Sequence, residues 1–592
     1  MSVVDDPLPA RGYDGRLMRR LVTYLRPHAG AVALAACAIL LSSAAELAQP
    51  WITQQAIDRD IARGDVPGLA RMVTIYLALL VFGFVAEYGQ TLILQTTGQH
   101  ILHRLRAQVY AHLQKLELRY YDRHPVGRLM TRVTTDVDAL NELFTSGVIT
   151  VLGDLLALSG IMVAMLVMNW RLALVAFSVL PLILWVAHWF RTNVRESYRR
   201  VRGLVARLNA FLQEHLTGMA VVQLFNQEER TRRRFDAINR EHRDVNIASI
   251  FYYALFYPLI EVIAAVSGAL IIWYGTGWAR DGTITVGVLV AFLQYSRRFF
   301  QPIADLSEKF NVMQAAMAAA ERIFGVLDTP PALPDPVTPL VPDNPRGQIE
   351  FDHVWFAYDD EHFVLRDVSF TIEPGQRVGI VGATGSGKTT VINLLLRFYD
   401  VQRGRVLVDG IDVREWDVRA LRRLFGLVLQ DVHLFSGTIA DNIRLGEAAI
   451  DDAAIVRAAQ AVHAHDFIVA RPGGYTSALA ERGASLSVGQ KQLLSFARAL
   501  AFDPVVLLLD EATSSVDTAT EVLIEDALRV MMLGRTVLAI AHRLSTIQDM
   551  DVILVLHKGE LREQGRHQEL VAARGLYHRL YELQYRRPLA AP

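Results

Sequence analysis

The 592-residue sequence has one cysteine, almost no net charge and no evident secretion signal. The single Cys37 excludes an intrachain disulfide framework. A formal net charge of −1 provides no bulk attraction to nucleic acid, so we expect no nucleic-acid partner. The Arg-rich residues 1–28 precede an apolar run that lacks a clear small-residue cleavage site, so no cleaved signal peptide is expected.

Hydrophobic residues, in contrast, make up 52% of the sequence, which is high for a soluble protein of this size. In the first half, apolar runs recur at the length of about 20 residues that a membrane-spanning helix needs. The sequence therefore predicts a helical membrane domain. Its six predicted spans are Ala31–Ile52, Met72–Leu94, Val148–Met168, Leu172–Phe190, Ile250–Tyr274 and Val286–Phe310.

Four carboxylates interrupt these runs: Glu46, Glu87, Asp154 and Glu261. Each could mark a helix end beyond the bilayer or a group paired inside the helix bundle. The alternative is that they form the polar wall of a water-filled path. Glu261 lies in the middle of its segment and is the strongest candidate for a cavity position.

Basic residues predict the orientation of the membrane domain. Five arginines precede the first span: Arg11, Arg16, Arg19, Arg20 and Arg26. The connectors 102–132 and 191–243 are also rich in Arg and Lys, whereas the other connectors are short and less basic. The N-terminus and the two basic connectors are therefore expected to be cytoplasmic, with membrane helices that extend into the cytosol.

A proline-rich segment separates the two halves of the chain. Seven of the 21 prolines lie in Asp328–Arg346, which excludes a helix or a central strand there. Beyond it, strand and helix signals alternate without another membrane-length run, which is typical of an α/β domain. We therefore predict a membrane domain at 1–325, a semi-rigid linker at 326–347 and an α/β domain at 348–592.

The second domain contains a phosphate-binding loop at Val381–Thr390, between a buried strand and a helix start. Its glycines let backbone N–H groups point at phosphate oxygens. Lys388 is expected to reach the β- and γ-phosphates, and the Thr389 hydroxyl is expected to bind Mg²⁺. The chance occurrence of a glycine-rich turn is disfavoured by the flanking strand and helix. The predicted ATP contacts in this loop are Gly382, Thr384, Gly385, Ser386, Gly387, Lys388, Thr389 and Thr390.

A second candidate motif follows the apolar run 505–509, which ends in Asp510 and Glu511. The run predicts a buried strand with an acid at its tip. Asp510 is expected to hold the Mg²⁺ shell, and Glu511 to polarise an attacking water. Two carboxylates at a strand end can also be plain solvated residues, but the upstream phosphate loop favours the catalytic role.

Between these motifs, Leu486–Gln490 resembles the signature motif of ATP-binding cassette (ABC) proteins, and the whole chain resembles an ABC exporter half-transporter. The resemblance implies a six-helix membrane domain followed by one α/β nucleotide-binding domain. Glu481–Gly483 resembles the exporter-specific loop before the signature, and Ser514–Asp517 the D-loop. Tyr358 matches the residue that stacks on adenine, Gln430 the glutamine that links Mg²⁺ to the membrane interface, and His542 the histidine that contacts the γ-phosphate.

The same resemblance implies a mechanism. Two nucleotide domains would close head to tail, so that Ser487, Gly489 and Gln490 of one chain complete the ATP site of the other. Asp517 belongs to this shared site. Closure would drive ATP-powered export of a hydrophobic or amphipathic small molecule, drug, lipid or peptide across the cytoplasmic membrane by alternating access. The turns at Tyr120–Gly127 and Phe225–Arg230 then match the coupling helices that dock on the nucleotide domains. The alternative is that both turns are simple solvated loops.

One departure from the family pattern concerns Val488, which replaces the first glycine of the usual Leu-Ser-Gly-Gly-Gln signature. The favoured interpretation is one subunit of a heterodimeric exporter with one impaired ATP site, and Tyr295–Ile303 resembles that subunit too. A homodimer with two equivalent sites, an exporter-fold importer and an ATP-gated regulator are the alternatives. The candidate substrate contacts, which could equally be packing residues, are Phe251, Tyr252, Tyr253, Phe256, Tyr257 and Phe292.

Overall fold

The computed structural model describes residues 14–331, 333, 336, 338–359, 361–510, 518–540 and 547–585. These residues form two compact units. The first unit comprises the described residues of Met1–Gln114 and Val126–Thr329. The second comprises those of Lys115–Pro125 and Pro330–Pro592, so one short segment of the N-terminal half belongs to it.

The described residues of the first unit are helical, as the apolar runs predicted. The helices of this half of the chain are α1 Gly15–Leu25, α2 Ala29–Gln55, α3 Val66–Leu113, α4 Leu118–Arg123, α5 Val126–Val133, α6 Thr135–Glu142, α7 Val148–Met168, α8 Trp170–Phe177, α9 Leu180–Thr217, α10 Met219–Leu224, α11 Glu228–Arg280 and α12 Val286–Leu327. Of these, α4 lies in the second unit. Helices α3, α9 and α11 run well past their apolar segments, which is the extension expected from the basic connectors.

Within the described residues, five helical stretches are long and apolar enough to cross a membrane: Gly15–Ile61, Val66–Leu113, Val126–Met168, Trp170–Thr217 and Glu228–Arg280. The sixth predicted span lies in α12, where the side chains of residues 300–308, 310 and 311 fall outside the described set. The fourth prediction, a continuous helix over Leu172–Phe190, is wrong in one respect. The helix breaks at Ser178–Val179, because Pro181 favours a new helix start.

The first long helix, α2, is locked to α12 at a proline. Pro50 has no N–H, so the carbonyl of Glu46, four residues earlier, has no intrahelical donor. Arg298 of α12 replaces it: Nη1 donates to that carbonyl at 2.6 Å, and Nη2 donates to Oε1 of Gln49 at 2.6 Å. The hydroxyl of Tyr295 donates to the carbonyl of Leu47. The carbonyl that Pro50 leaves without a donor in α2 is therefore satisfied by a side chain of α12.

The four carboxylates in the predicted spans have different surroundings. Asp154 forms a half-buried ion pair with Lys309, so the paired interpretation holds for this residue. The Glu46 carboxylate lies within electrostatic range of Arg298 and Glu87. In the described part of the chain, Glu46, Glu87 and Glu261 are exposed and form no ion pair. The polar-wall interpretation stays a prediction for these three.

The second unit contains a six-stranded sheet in the order β12-β11-β3-β10-β9-β6, a four-stranded sheet in the order β2-β1-β4-β5 and a two-stranded sheet β7-β8. The strands are β1 Ile349–Ala357, β2 Phe363–Ile372, β3 Arg377–Val381, β4 Arg403–Val408, β5 Ile411–Asp412, β6 Phe425–Val428, β7 Gly437–Thr438, β8 Ala478–Leu479, β9 Val506–Asp510, β10 Thr536–Ile540, β11 Val552–His557 and β12 Glu560–Gly565. The largest sheet is parallel except at β12, so the carboxyl ends of β3, β9 and β6 share one edge.

Helices pack on this sheet through two hydrophobic cores, one of which contains Phe496 of the signature helix and the other Val391 of the phosphate-loop helix. The helices of this unit are α13 Lys388–Leu395, α14 Val418–Arg423, α15 Ile439–Arg444, α16 Asp452–Ala461, α17 His465–Val469, α18 Val488–Ala501, α19 Thr518–Met532, and two final helices, His567–Ala573 and Leu576–Tyr585. The predicted α/β class of the second domain is confirmed.

The link between Pro50 and Arg298 generates a testable prediction. Arg298→Met should leave the Glu46 carbonyl without a donor and cost about 1–3 kcal/mol of stability. In a Pro50→Ala background the backbone N–H returns, so the same substitution should cost less. Thermal unfolding of the purified protein in lipid would give the four corners of this double-mutant cycle.

Arg297→Met is the matched control, because Arg297 is the adjacent and exposed arginine on the same helix. An equal loss for Arg298→Met in both backgrounds would contradict the assigned role of Pro50.

Candidate nucleotide site

The loop after β3 adopts a backbone that strongly favours glycine. Gly385 and Gly387 have φ angles of +81° and +102°, in the left-handed region. A Cβ on Gly382 would lie 2.3 Å from the carbonyl oxygen of Leu556, and one on Gly387 would lie 2.5 Å from Cδ2 of Leu365. The chain therefore turns tightly at the carboxyl end of a buried strand and starts α13 at Lys388. The N-terminus of that helix favours an anion.

Lys388 is folded over this loop. Its Nζ donates to the carbonyls of Gly382 at 2.8 Å and Ala383 at 3.1 Å, and the residue is 8% exposed. Burial lowers the pKa of the Lys388 ammonium, although the nearby Asp510 opposes this shift. Ser386 Oγ is also buried and has no hydrogen-bond partner in the described part of the chain. A buried ammonium and an unsatisfied hydroxyl fit the phosphates of a nucleotide.

The oxygens expected to hold a cation gather at the same edge of the sheet. Thr389 Oγ1 lies 3.4 Å from Oδ2 of Asp510, the last residue of β9. Gln430 is exposed and follows β6, the strand next to β9. No group of three or more acidic, histidine or cysteine side chains that could hold a metal occurs within the described residues. This donor set suits a cation that is bound together with phosphates rather than in a protein cage.

Tyr358, the residue matched to adenine stacking, is held by several neighbours. Its hydroxyl lies 3.1 Å from Thr390 Oγ1 and 3.4 Å from Nδ2 of Asn393, both on α13. Its ring meets the ring of Tyr399 edge-on at 5.1 Å. Sequence reasoning missed Asn393 and Tyr399. Asn393 lies one helical turn after Thr389, a spacing that could have suggested a shared face.

The short helix α4 also contacts this part of the second unit. Arg119 donates to the carbonyl of Tyr358 at 2.9 Å, and Asp122 accepts a hydrogen bond from the hydroxyl of Tyr399. Burial and this hydrogen bond raise the pKa of the Tyr399 phenol. The turn at Tyr120–Gly127 is therefore not a plain solvated loop. A docking helix would make contacts of this kind.

The predicted signature forms the start of α18. Ser487 is the N-cap residue: its Oγ accepts from the N–H of Gln490, and Gln490 Oε1 accepts from the N–H of Ser487, both at 3.2 Å. Val488 is 57% exposed at the first position of the helix, whereas Gly489 is buried. Val488 has no positive φ, so valine introduces no backbone strain here.

Three predicted site residues, Glu511, Asp517 and His542, lie outside the described residues. The rest of the D-loop, Ser514–Asp517, lies outside them as well. The structure brings the phosphate loop, Asp510 and Tyr358 together on one side of the sheet. The exporter-specific loop at Glu481–Gly483 forms a short turn with φ +54° at Arg482.

Comparisons with known proteins agree with this architecture. Residues 32–303 match the ABC transporter transmembrane region, and residues 365–514 match the ABC transporter domain. An ABC transporter ATP-binding protein of Bacillus subtilis is 38% identical over 98% of this chain and 96% of its own length. A fatty acid ABC transporter of Mycobacterium tuberculosis is 39% identical over 87% of this chain and 82% of its length.

Two further comparisons concern exporters and flippases. An ATP-dependent lipid A-core flippase of Syntrophus aciditrophicus is 35% identical over 96% of this chain and 95% of its length. A bacterial Atm1-family ABC exporter solved with ATP bound matches with a TM-score of 0.76 and 30% identity, over 98% of this chain and 100% of that one.

A helical membrane domain joined to an ATP-binding α/β domain defines an ATPase coupled to membrane transport. The chain belongs to the ABC transporters, among the exporters, so the family expected from the signature motif is confirmed. Members of this family act as dimers in a membrane.

The close packing at Gly382 generates a second prediction. Gly382→Ala should strongly destabilise the second unit, because the clash is with a backbone carbonyl that cannot move away. Gly385→Ala meets nothing within 4 Å and should cost only the strain of its φ angle, about 1 kcal/mol. Thermal unfolding of the full-length variants without nucleotide measures both. Equal stability of the two variants would contradict the geometry of the loop.

Proposed function

We propose that this chain exports a hydrophobic or amphipathic small molecule, drug, lipid or peptide across the cytoplasmic membrane by ATP-driven alternating access. The observation that carries the proposal is the phosphate loop, with Lys388 and Ser386 arranged for a nucleotide, in a chain whose other half is a helical membrane domain. The relatives named as a lipid A-core flippase and a fatty acid transporter support an apolar or amphipathic substrate. A probable multidrug resistance transporter of Bacillus subtilis, 37% identical, supports the same class.

The proposed ATP site follows from the residues described above. Tyr358 stacks on the base, Lys388 binds the β- and γ-phosphates, and the loop N–H groups complete the cradle. Thr389, Gln430 and Asp510 hold Mg²⁺, which neutralises phosphate charge when it is bound. Glu511 polarises the attacking water and His542 contacts the γ-phosphate. The N-terminus and the second unit are proposed to be cytoplasmic, in line with the basic connectors.

The second half of each ATP site is proposed to come from a partner chain. Ser487, Gly489 and Gln490 lie at the N-terminus of α18, where backbone N–H groups favour an anion. Val488, the first residue of this helix, is exposed. We propose that this exposed helix start binds the ATP held by a second nucleotide domain, and the family resemblance assigns Asp517 to the same shared site.

We favour a heterodimer in which this chain contributes an intact phosphate loop and an altered signature. Val488 supports this assignment because its branched side chain stands where the partner's γ-phosphate would approach. The cost of valine falls on the partner's ATP site rather than on the fold of this chain, since the helix accepts it without strain. A homodimer with two equivalent sites is the alternative.

The aromatic residues proposed for substrate contact differ in burial, and Tyr252 and Tyr253 are half-buried and stay candidates. Phe256 and Phe292 are 7% and 0% exposed and belong to the helical core, so the packing interpretation applies to them. Phe251 and Tyr257 are 61% and 63% exposed and stay candidates for substrate contact. Apolar and aromatic linings are typical of sites for apolar ligands.

The catalytic assignment predicts the behaviour of Glu511→Gln. This variant should bind ATP normally but lose turnover, because only the water-polarising carboxylate is removed. In inside-out vesicles, ATP-dependent accumulation of dodecanoate or ethidium should disappear with it. Glu447→Gln is the control, since Glu447 pairs with Arg423 at the surface of the same unit. Hydrolysis at the wild-type rate in the Glu511 variant would contradict the assignment.

The heterodimer assignment predicts the effect of restoring the usual signature. The purified chain alone should hydrolyse ATP slowly, and Val488→Gly should raise that rate because the γ-phosphate contact is relieved. Val469→Gly is the matched control, because Val469 is 56% exposed in the same unit. Vigorous, substrate-stimulated turnover of the wild-type chain alone, unchanged by Val488→Gly, would favour the homodimer.

A further inference from the structure

The N-terminal helix α1 lies against the cytoplasmic end of α12. Arg20 Nη1 donates to Oδ2 of Asp328 at 2.7 Å, and its guanidinium lies 4.1 Å from the centre of the Phe324 ring. The ring of Tyr24, one turn further along α1, stacks on Phe324 with centres 6.3 Å apart. Phe324 is 1% exposed, so α1 covers this ring. We call the contacts of Arg20 and Tyr24 with Phe324 and Asp328 the clasp.

The cytoplasmic end of α3 extends the clasp. The hydroxyl of Tyr24 donates to Oε1 of Gln108 at 3.0 Å, and His112 donates from Nε2 to the carbonyl of Thr329 at 2.9 Å. Gln108 and His112 are one turn apart on α3. The last residues of α12 are therefore held by two other helices of the same unit.

The clasp lies where α12 ends and the linker begins. Asp328 is the C-cap residue of α12, and the proline-rich linker to the nucleotide-binding domain starts there. A carboxylate at a helix C-terminus is unfavourable, because it repels the negative end of the helix dipole. Arg20 compensates for it, and the hydrogen bond from Arg20 lowers the pKa of the Asp328 carboxyl. Without Arg20, the last turn of α12 would lose this compensation and fray more readily.

We propose that Arg20 is a positioning residue for energy coupling: it fixes the end of α12, so that movement of the linker displaces the whole helix instead of unwinding its last turn. The side chains of Arg20 and Asp328 are 39% and 59% exposed, so the ion pair itself is weak. The inference rests on ATP-coupled transport and does not depend on the substrate or on the partner chain.

The far end of α12 provides the place to read out this displacement. There, Asp58 Oδ1 accepts a hydrogen bond from the N–H of Gly287 at 2.8 Å, which joins the helical turn Ala56–Ile61 after α2 to the start of α12. Arg63 and Asp281 are exposed and lie in the two turns beside this contact. Spin labels on Arg63→Cys and Asp281→Cys, in a Cys37→Ser background, report whether the two helix ends separate.

The experiment measures both ATP hydrolysis and the distance between the two spin labels in the same lipid-embedded samples. The labelled chain is co-expressed with an excess of unlabelled chain, and distances are measured by double electron–electron resonance before and after trapping with ATP and vanadate. Arg20→Met should keep ATPase activity close to that of the wild type. After trapping, the ratio of molecules with a long label-to-label distance to molecules with a short one should fall by about fivefold. A change of this size is expected from the loss of weak contacts.

Three variants separate positioning from a general loss of structure. Arg20→Lys keeps the charge and should stay near the wild type, and the exchanged pair Arg20→Asp with Asp328→Arg should restore the separation. Arg19→Met, on the exposed side of the same helix, should have no effect. The proposal is overturned if Arg20→Met separates as the wild type does, or if its hydrolysis and separation fall in proportion. It is also overturned if the wild-type labels keep one distance through the cycle, because α12 would then have no displacement to transmit.

Discussion

The tight turn at the carboxyl end of β3 is the constraint on which the candidate ATP site depends. Gly382 lies so close to the backbone of Leu556 that a side chain of any size is excluded. This close approach lets Lys388 reach back over the loop, and Ser386 Oγ is buried without a hydrogen-bond partner among the described residues. The parallel sheet then places Asp510 at the same edge, two strands away. A loop that holds its own lysine in this way is prepared for an anion before one arrives.

Much of this architecture could be predicted from the sequence because its signals are local. A glycine-rich turn between a buried strand and a helix start, and apolar runs of membrane length, are each contained within one stretch of chain. The contacts of Tyr358 with Tyr399 and Arg119 could not be predicted in this way, because the three residues come from separate elements. Proline at position 50 was visible in the sequence, but its compensation by Arg298, 248 positions later, depends on helix packing.

Two contacts outside the ATP site use the same physical principle, in which an arginine from another helix satisfies a backbone carbonyl or a carboxylate that its own helix leaves unsatisfied. Arg298 supplies the donor that Pro50 removes from α2, and Arg20 balances the carboxylate that ends α12. Arg298 joins α12 to α2, and Arg20 joins α12 to α1. Asp58, just after α2, also accepts a hydrogen bond from Gly287 at the start of α12. The membrane unit therefore fixes α12 at several points along its length. Because α12 leads into the linker, contacts along its length favour movement of the whole helix as one rigid body.

The central claim is that each ATP site is shared, with the phosphate loop of this chain completed by a signature from another chain. A cryo-EM structure of the full-length Glu511→Gln protein with Mg-ATP tests it most directly. The account predicts ATP enclosed between Lys388 and Tyr358 of one chain and the N-terminus of a signature helix of another, with Val488 facing the opposite site. ATP bound by one nucleotide domain alone, with no second signature within reach of the γ-phosphate, would contradict it.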